Sequence, residues 1–429
     1  MFDGRGWICV LLLLGFLSGG VIHALDEDSN PPNILFIVAD DLGYEKLGCY
    51  GGLGTKTPNL NHLAREGARF ARAYGSPVCT PTRMSVYTGQ YPTRHGYTSV
   101  LPVHNGTKEA VDFKERFPSY AKQLREAGYL TSVTGKWQLA TLELHPYHLK
   151  DAGFDSWCVW QIWKEGAKTT RYWDPCLNED GKIRKGLTER FGPDVMARYV
   201  IKQMKAAVEA GKPFFIHHNM LLPHEPIVET PQTRRLGREA SLTEMIRYMD
   251  RIIGGLVTAV DDMGIAEDTC IVFLGDNGTD TVGQVRTTRA GLVRGGKRTL
   301  NEGGTHLPLI VRWPGRIEAG TVRRDLVDVV DLFPTFCEIA GAKLPEEADL
   351  DGVSLVPCLL RGEAVGRKVT VAGFRKKFSV FSGSWRVNSA GVIIDARDLP
   401  REKIVSDEEL SAGVRRSIGK MKQHLEMLP

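Results

Sequence analysis

The sequence predicts an α/β fold: a large mixed, mostly parallel sheet with helices on both faces, then a small antiparallel sheet with a terminal helix. Four apolar runs have the composition of strands buried on both faces, at 33–39, 214–218, 270–274 and 307–311. Helical patterns lie between them, at 120–127, 195–210, 242–263 and 331–340. Strands that alternate with helices indicate a layered sheet, and such sheets bind ligands at the carboxyl ends of their strands.

The pattern changes after residue 362. Short strand-like segments separated by tight turns occupy 369–371, 378–381, 385–388 and 392–394, and a charged helical segment occupies 407–427. We therefore expect a larger domain over 25–362 and a small C-terminal α+β subdomain over 363–429.

The first 24 residues have the features of a secretory signal. Arg5 precedes an apolar run over 7–16, small residues follow at 18–20, and a cleavage point is expected near Ala24. The apolar run is too short for a comfortable membrane span, although a retained anchor is the alternative. The sequence thus predicts an exported protein without stable membrane association: periplasmic or secreted in a bacterium, lysosomal or extracellular in a eukaryote.

Charge and cysteine content restrict the function further. The formal net charge of +4 is small and its lysines and arginines are dispersed, which argues against a nucleic-acid partner. Seven cysteines follow the signal, and none has a spacing typical of zinc ligands. An exported protein can form disulfides, and Cys158 with Cys176 is the pair that we favour.

Acidic residues follow two of the predicted strands. Asp40 and Asp41 come after the first, and Asp276 and Asn277 come after the third. Each pair alone has the composition of an ordinary turn. Together they place four oxygen donors at one edge of one sheet, a set that suits a hard cation such as Ca²⁺ or Mg²⁺.

Cys79 lies at a predicted helix start. Thr80 has the composition of an N-cap and Pro81 that of the first helical residue, so Cys79 is expected just ahead of the positive end of the helix dipole. An anion or an oxygen nucleophile is stabilised at such a position. A lone cysteine is otherwise most often a small buried apolar residue.

Three basic residues follow strand-like segments or glycines. Lys136 occurs in Gly135-Lys136-Trp137, Lys297 in Gly295-Gly296-Lys297, and His224 in Pro223-His224-Glu225-Pro226. Each alone is most often a solvated cation or a hydrogen-bonded histidine. Near the predicted cation site they would bind an anionic substrate.

These segments resemble the formylglycine-dependent sulfatases. Cys79, Pro81, Thr82 and Arg83 match the core motif of that family, and the similarity extends from Pro32 to about Arg397. Further matching segments, in order, are Asp40-Asp41-Leu42-Gly43, Thr57-Pro58-Asn59-Leu60, Thr88-Gly89, Gly135-Lys136-Trp137, Pro223-His224-Glu225-Pro226, Asp276-Asn277-Gly278, Lys297, Glu302-Gly303-Gly304, Trp313-Pro314-Gly315 and Ile394-Asp395-Ala396-Arg397. The resemblance implies the fold of alkaline phosphatase relatives.

The resemblance also implies a mechanism. A separate formylglycine-generating enzyme would oxidise Cys79 to an aldehyde whose hydrate attacks a sulfate ester, with Arg83 stabilising the nucleophile. One Ca²⁺, or less favourably Mg²⁺, would be bound by Asp40, Asp41, Asp276, Asn277 and the modified Cys79. The remaining cationic and polar residues implied at the sulfate group are Lys136, His224 and Lys297.

One departure from the family pattern concerns turnover. Family members commonly have histidine where this chain has Gln138, in Gly135-Lys136-Trp137-Gln138-Leu139-Ala140. That histidine helps to remove a proton when sulfate is expelled, and an amide cannot act as a base at ordinary pH. Turnover would then be slow, His145 or His148 would substitute, or catalysis would be lost.

The sequence therefore predicts a sulfuric ester hydrolase that releases inorganic sulfate from an aryl sulfate or a sulfated carbohydrate. A phosphate or phosphonate monoester hydrolase of the same superfamily is one alternative. The other alternative is a catalytically silent protein that binds sulfated glycans, and this alternative is suggested by Gln138.

Overall fold

The structure, a computed structural model, describes residues 31–101, 109–280, 286–294 and 296–426 of the 429-residue chain. The predicted signal over 1–24 and Gly295 lie outside these ranges. Within them, no helix is long and apolar enough to span a bilayer.

The predicted strands and helices are present, with others between them. The strands are β1 (Asn33–Ala39), β2 (Ala68–Tyr74), β3 (Leu130–Gly135), β4 (Ser156–Trp160), β5 (Trp163–Lys164), β6 (Ala167–Lys168), β7 (Leu177–Glu179), β8 (Lys182–Ile183), β9 (Phe214–Asn219), β10 (Thr269–Gly275), β11 (Arg286–Thr288), β12 (Gly291–Val293), β13 (His306–Arg312), β14 (Thr321–Arg323), β15 (Val327–Asp328), β16 (Thr370–Phe374), β17 (Lys377–Phe381), β18 (Trp385–Asn388), β19 (Ile393–Asp398) and β20 (Arg401–Val405). The α-helices are α1 (Pro58–Glu66), α2 (Cys79–Thr88), α3 (Pro92–His95), α4 (Tyr120–Glu126), α5 (His148–Asp151), α6 (Gly192–Glu209), α7 (Pro231–Leu236), α8 (Leu242–Asp262), α9 (Glu302–Thr305), α10 (Leu332–Ala340), α11 (Val356–Arg361) and α12 (Ala412–Glu426).

The large sheet is mixed and mostly parallel, as predicted. Its strands lie in the order β14-β2-β13-β10-β1-β9-β3-β4-β7-β8, with β15 beside β2. The central strands β10, β1, β9, β3 and β4 are all parallel. The run at 307–311 is also a strand, but β13 pairs antiparallel with β10, so it enters the sheet from the opposite direction. The carboxyl ends of β1, β3, β9 and β10 therefore meet at one edge.

Helices cover both faces of this sheet. On one face Phe36 of β1 and Phe215 of β9 pack against Phe336 of α10 in tilted and edge-on arrangements, with ring centroids 5.0 and 5.5 Å apart. Tyr120 of α4 packs into the same aromatic cluster. On the other face α6 packs on β3 and β9 and also contacts α8, which packs on α1. This burial on both faces explains why the central strands are almost uniformly apolar.

The C-terminal region is a five-stranded antiparallel sheet, β16-β17-β18-β19-β20, against which α12 packs. The sequence missed β20, Arg401–Val405, because its largely polar residues lack an apolar run. The predicted helix over 407–427 is instead a 3₁₀ turn at Asp407–Glu409 followed by α12. The domain boundary at 362 remains a prediction.

The disulfide favoured from the sequence is not formed. All seven cysteines in the described residues are free thiols. The antiparallel pairing of β4 with β7 sets Cys158 opposite Glu179, whereas the backbone of Cys176 bonds to Gln161. The two cysteines are thus three positions apart along the ladder, too far along it for a bridge.

Candidate active site

The polar residues at the ends of the parallel strands converge. The Asp41 N–H donates to Asp276 Oδ1 at 3.0 Å, and Asn277 Nδ2 donates to Asp41 Oδ1 at 2.9 Å. Asp40, Asp41, Asp276 and Asn277 are all buried. Asp41 has a φ of 65°, in the left-handed region that aspartate tolerates better than most residues. The edge of the sheet predicted to bind a cation thus carries all four predicted oxygen donors.

Lys136 reaches this cluster because a glycine precedes it. Gly135 ends β3 with a φ of 93°, and a Cβ there would lie 1.6 Å from the carbonyl oxygen of Asn219. Only glycine permits this approach of β3 to β9. The Lys136 N–H then donates to that same oxygen, and its Nζ donates to both Asp40 oxygens, at 2.8 and 2.9 Å.

Cys79 is the first residue of α2, and Val78 is the N-cap. The predicted start at Thr80 and Pro81 is therefore two residues late. The hydroxyl of Thr80 accepts from the Leu101 N–H instead of capping the helix, and that of Thr82 donates to the Ser76 carbonyl. Cys79 consequently lies in the first turn, beside N–H groups that have no partner within the helix, rather than ahead of it.

Arg83 lies four residues after Cys79, on the same face of α2. Its Nε and Nη2 donate to Asp276 Oδ2 at 3.1 and 2.8 Å, and its Nη1 donates to Asn219 Oδ1. Both groups belong to ends of the parallel strands. The guanidinium therefore joins the helix that carries Cys79 to the carboxylate cluster.

Lys297 and His224 close the other side of the cluster. Lys297 Nζ donates to Asp41 Oδ2 at 2.5 Å and lies 3.2 Å from His224 Nε2. On its other side, His224 Nδ1 lies 2.8 Å from the Glu225 carbonyl and 3.0 Å from Arg171 Nη2. Each predicted basic residue thus contacts the carboxylates directly or through one neighbour.

The formal charges of this site balance, since Asp40, Asp41 and Asp276 face Arg83, Lys136 and Lys297. Burial by itself raises the pKa of Asp40, but Lys136, His224 and Arg83 outweigh it and hold that pKa well below its usual range. Burial would lower the pKa of Lys297, and the charge of Asp41 raises it instead. Burial also lowers the pKa of His224, partly opposed by the charge of Asp40.

The donor set fits a hard divalent cation. Asn277 Oδ1 is buried and has no hydrogen-bond partner, which a cation would provide. Asp40, Asp41 and His224 bring one ligand atom each within 4.8 Å of one another. The carboxylate oxygens of Asp40, Asp41 and Asp276 all accept hydrogen bonds, mainly from Lys136, Lys297 and Arg83. The ligand atoms available to a cation are therefore carboxylate and amide oxygens and one imidazole nitrogen.

A cleft of about 410 Å³ opens over Cys79. Its lining includes Gln138, His224 and Lys297, so four of the predicted site residues, Cys79 included, border one opening. Arg83, Lys136 and Lys297 each interact electrostatically with Cys79. The cleft therefore presents a buried sulfur atom to an incoming anion among three cations.

Neither proposed substitute for a histidine at Gln138 lines this cleft. His148 accepts from Trp137 Nε1 at 3.1 Å, and its Nε2 lies 2.7 Å from the Val111 carbonyl. Burial lowers the pKa of His148 to about 4. His145 borders a separate cavity with His148. The structure therefore gives no support to the suggestion that either histidine replaces the missing base.

Several residues of the site were not predicted from the sequence, among them Asn219, Arg171 and Arg375. Asn219 accepts from Arg83, Arg171 bonds His224, and Arg375 of the C-terminal sheet lines the cleft. Asn219 is the last residue of β9, and Asp40 directly follows β1. The polar residue at the end of the apolar run over 214–218 could therefore have indicated Asn219 as a site residue. Arg171 and Arg375 are brought to the site by tertiary packing and have no local signal.

Comparison with known proteins agrees with this arrangement. The family model "Sulfatase" matches residues 32–342. Arylsulfatase A of Homo sapiens is 34% identical over 378 residues, covering 81% of this chain and 70% of that protein. N-acetylgalactosamine-6-sulfatase of Canis lupus familiaris is 29% identical over 415 residues, covering 90% of this chain and 78% of that protein.

Solved structures show the same relationship. The crystal structure of Ps i-CgsB superposes with a TM-score of 0.79 at 26% identity, covering 93% of this chain and 94% of that one. Its complex with k-i-k-neocarrahexaose superposes with a TM-score of 0.75 at 25% identity, covering 93% and 94%. With the matched motifs meeting at one sheet edge, this chain belongs to the sulfatase family and is a sulfuric ester hydrolase.

Proposed function

We propose that the protein releases inorganic sulfate from a sulfated carbohydrate or an aryl sulfate, using formylglycine made from Cys79 and one bound Ca²⁺. The observation that carries this proposal is the position of Cys79, in the first turn of α2, within a cleft lined by Lys297 and His224 and in electrostatic contact with Arg83 and Lys136. Three cations around one side chain suit an anionic ester.

The modified residue and the neighbouring side chains have separate roles in this proposal. Once oxidised by a formylglycine-generating enzyme and hydrated, residue 79 supplies two hydroxyls, one to attack sulfur and one whose deprotonation expels sulfate. Arg83 is held in place by Asp276 and Asn219, and its charge interacts with residue 79. Lys136, Lys297 and His224 stabilise the sulfuryl oxygens, the two lysines by their charge and His224 by a hydrogen bond, while negative charge moves to the departing alcohol.

The cation would be held by Asp40, Asp41, Asp276 and Asn277, together with residue 79. When bound, a Ca²⁺ ion supplies positive charge to the sulfate group and to its nucleophile. Ca²⁺ is favoured over Mg²⁺ because the site offers several protein oxygens, whereas Mg²⁺ usually keeps several waters. His224 lies close enough to Asp41, at 3.5 Å, to orient that carboxylate.

A sulfated sugar is the favoured substrate class. The curated relative from dog is named for a sulfated amino sugar, and the Ps i-CgsB complex contains an oligosaccharide. We also infer that the protein is exported, as the segment over 1–24 predicts. The proposed partners are the sulfate ester and the formylglycine-generating enzyme.

Sulfate release from an aryl sulfate tests the proposal. With protein co-produced with a formylglycine-generating enzyme, kcat/KM for the aryl sulfate is expected to exceed that for the matching aryl phosphate and phosphonate by about tenfold or more, a difference of about 1.4 kcal/mol or more. The rate for each ester is measured from the absorbance of the same phenol. A preference for the phosphorus esters would instead support the alternative hydrolase.

Gln138 predicts slow release of sulfate rather than slow attack. Because the amide lining the cleft cannot accept a proton, wild-type protein is expected to release one equivalent of phenol in a burst, followed by slow turnover. Gln138→His is expected to raise the steady-state kcat by about tenfold or more, since a general base contributes about 10²–10⁴-fold.

Gln138→Asn is the matched control, because it keeps the amide and is expected to leave the slow phase in place. If wild-type protein binds a sulfated glycan but releases no phenol, and Gln138→His restores none, the silent glycan-binding alternative is supported and the hydrolase proposal is contradicted.

A further inference from the structure

The turn between β16 and β17 has an unusual composition for its backbone. Phe374 pairs with Lys377, which leaves Arg375 and Lys376 as a two-residue loop with φ values of 48° and 62°. Two consecutive positive φ values favour Asn-Gly, because residues with larger side chains are strained there. This chain places two cations at these positions. A strained backbone retained at the edge of a cleft indicates that these side chains have a function.

This turn is held in place and its charges are available. The Arg375 N–H donates to the Thr98 carbonyl at 2.8 Å, and the Lys376 N–H lies 3.2 Å from Thr98 Oγ1. Within the described part of the chain, no carboxylate lies at ion-pair distance from Arg375, Lys376 or Lys377. The three side chains are exposed. The turn therefore directs concentrated positive charge into solvent from a fixed backbone.

Arg375 lies at the border of the active-site cleft. Arg375 and Phe374 line the same cleft as Cys79, and the Arg375 guanidinium lies 5.3 Å from the centre of the Phe374 ring, which steadies it. Arg298 also lines the cleft, but Asp280 accepts two hydrogen bonds from it, at 2.9 and 3.1 Å. Arg375 is thus the arginine of this cleft whose charge is not already shared with a carboxylate in the described residues.

We propose that Arg375, supported by Lys376, forms a second anion-binding subsite, which selects glycans that carry another sulfate or a carboxylate near the scissile sulfate. This subsite deepens the proposed function and rests on it. A guanidinium binds either oxyanion through two parallel hydrogen bonds, which an ester with a single charge cannot use. The C-terminal sheet would thereby determine substrate preference while the large sheet carries the reacting groups.

A turn exchange tests this proposal without disturbing the fold. The double variant Arg375→Asn with Lys376→Gly introduces the residues that the backbone favours, so its Tm is expected to equal or exceed that of wild type. Lys377→Gln is the matched control, because it removes one charge of the same hairpin outside the cleft lining. The substrates are one oligosaccharide with a single sulfate, the same oligosaccharide with two sulfates, and one with a sulfate and a carboxylate.

The ratio of kcat/KM for each dianionic oligosaccharide to that for the monosulfated one is the readout. It is expected to fall by about tenfold in the double variant, the effect of losing one charge-assisted contact, and to stay unchanged in Lys377→Gln. The wild-type ratio should also fall as salt is added. The two dianionic substrates show which second anion is preferred. An unchanged ratio for both in the double variant would overturn the subsite.

Failure of the proposed function is distinguished by a binding measurement. If wild-type protein hydrolyses none of the three oligosaccharides, titration calorimetry on Cys79→Ala protein, with and without the turn exchange, measures their affinities directly. About tenfold weaker binding of a dianionic oligosaccharide after the exchange would support the subsite even then. Equal affinities in the two proteins would reject it.

Discussion

Replacing Cys79 with alanine is expected to lower sulfate release by about 10⁴-fold or more, the loss typical of removing a nucleophile. The residue lies in the first turn of α2, one helical turn from Arg83, and no other cysteine lines the cleft in the described residues. Cys79→Ser is expected to behave differently. A serine offers one hydroxyl, so it accepts sulfate and releases one equivalent of alcohol, but it cannot expel the sulfate.

Phenol release is measured for both variants. Peptide mass spectrometry across residue 79 of the wild-type protein shows whether the formylglycine-generating enzyme has converted Cys79 to an aldehyde. Cys176→Ser is the control, because it removes a half-buried thiol outside the cleft and is expected to keep full activity. An unmodified Cys79 in cells that convert a reference sulfatase, or an active Cys79→Ala protein, would contradict the proposed nucleophile.

Removing the proposed divalent cation is the second change with a large expected effect. Chelation is expected to lower kcat/KM by about 10³-fold, because several kcal/mol of charge stabilisation at the sulfuryl oxygens are lost, and Ca²⁺ should restore it better than Mg²⁺. Ca²⁺ at about 100 times its Kd adds about 2.7 kcal/mol to the free energy of unfolding, so the Tm should rise with added Ca²⁺.

The Asp40→Asn variant distinguishes Ca²⁺ binding at the proposed site from a nonspecific effect of added salt on the Tm. The variant is expected to lose the Ca²⁺-dependent rise in Tm, measured by calorimetry, together with activity. The substitution also removes the charge that Lys136 contacts, which by itself changes the stability of the protein. The Tm of the variant with Ca²⁺ is therefore compared with the Tm of the same variant without Ca²⁺. Asp280→Asn removes a nearby carboxylate that bonds Arg298 and should keep the Ca²⁺ response. Full activity in chelator would contradict the proposed cation.

The convergence of Asp40, Asp41, Asp276 and Asn277 was predictable because parallel strands end at the same edge of a sheet. The start of α2 was not. Thr80-Pro81 is a strong local signal for a helix start, but the hydroxyl of Thr80 bonds to the distant Leu101 N–H, and the helix begins at Cys79 instead. The tertiary hydrogen bond of the Thr80 hydroxyl contributes a free energy similar to that of an N-cap, so it can replace the local capping preference.

The sequence alone determined the family, the layered sheet and the residue types of the site, because buried strands, acidic residues at strand ends and the cysteine motif are local patterns. Only the tertiary structure decided which cation bonds which carboxylate: Lys136 with Asp40, Lys297 with Asp41 and Arg83 with Asp276. It also decided that Arg375, almost 300 residues after Cys79, lines the same cleft. The physical reason is that such contacts depend on how strands and subdomains pack, and neither partner's neighbouring residues encode the other's position.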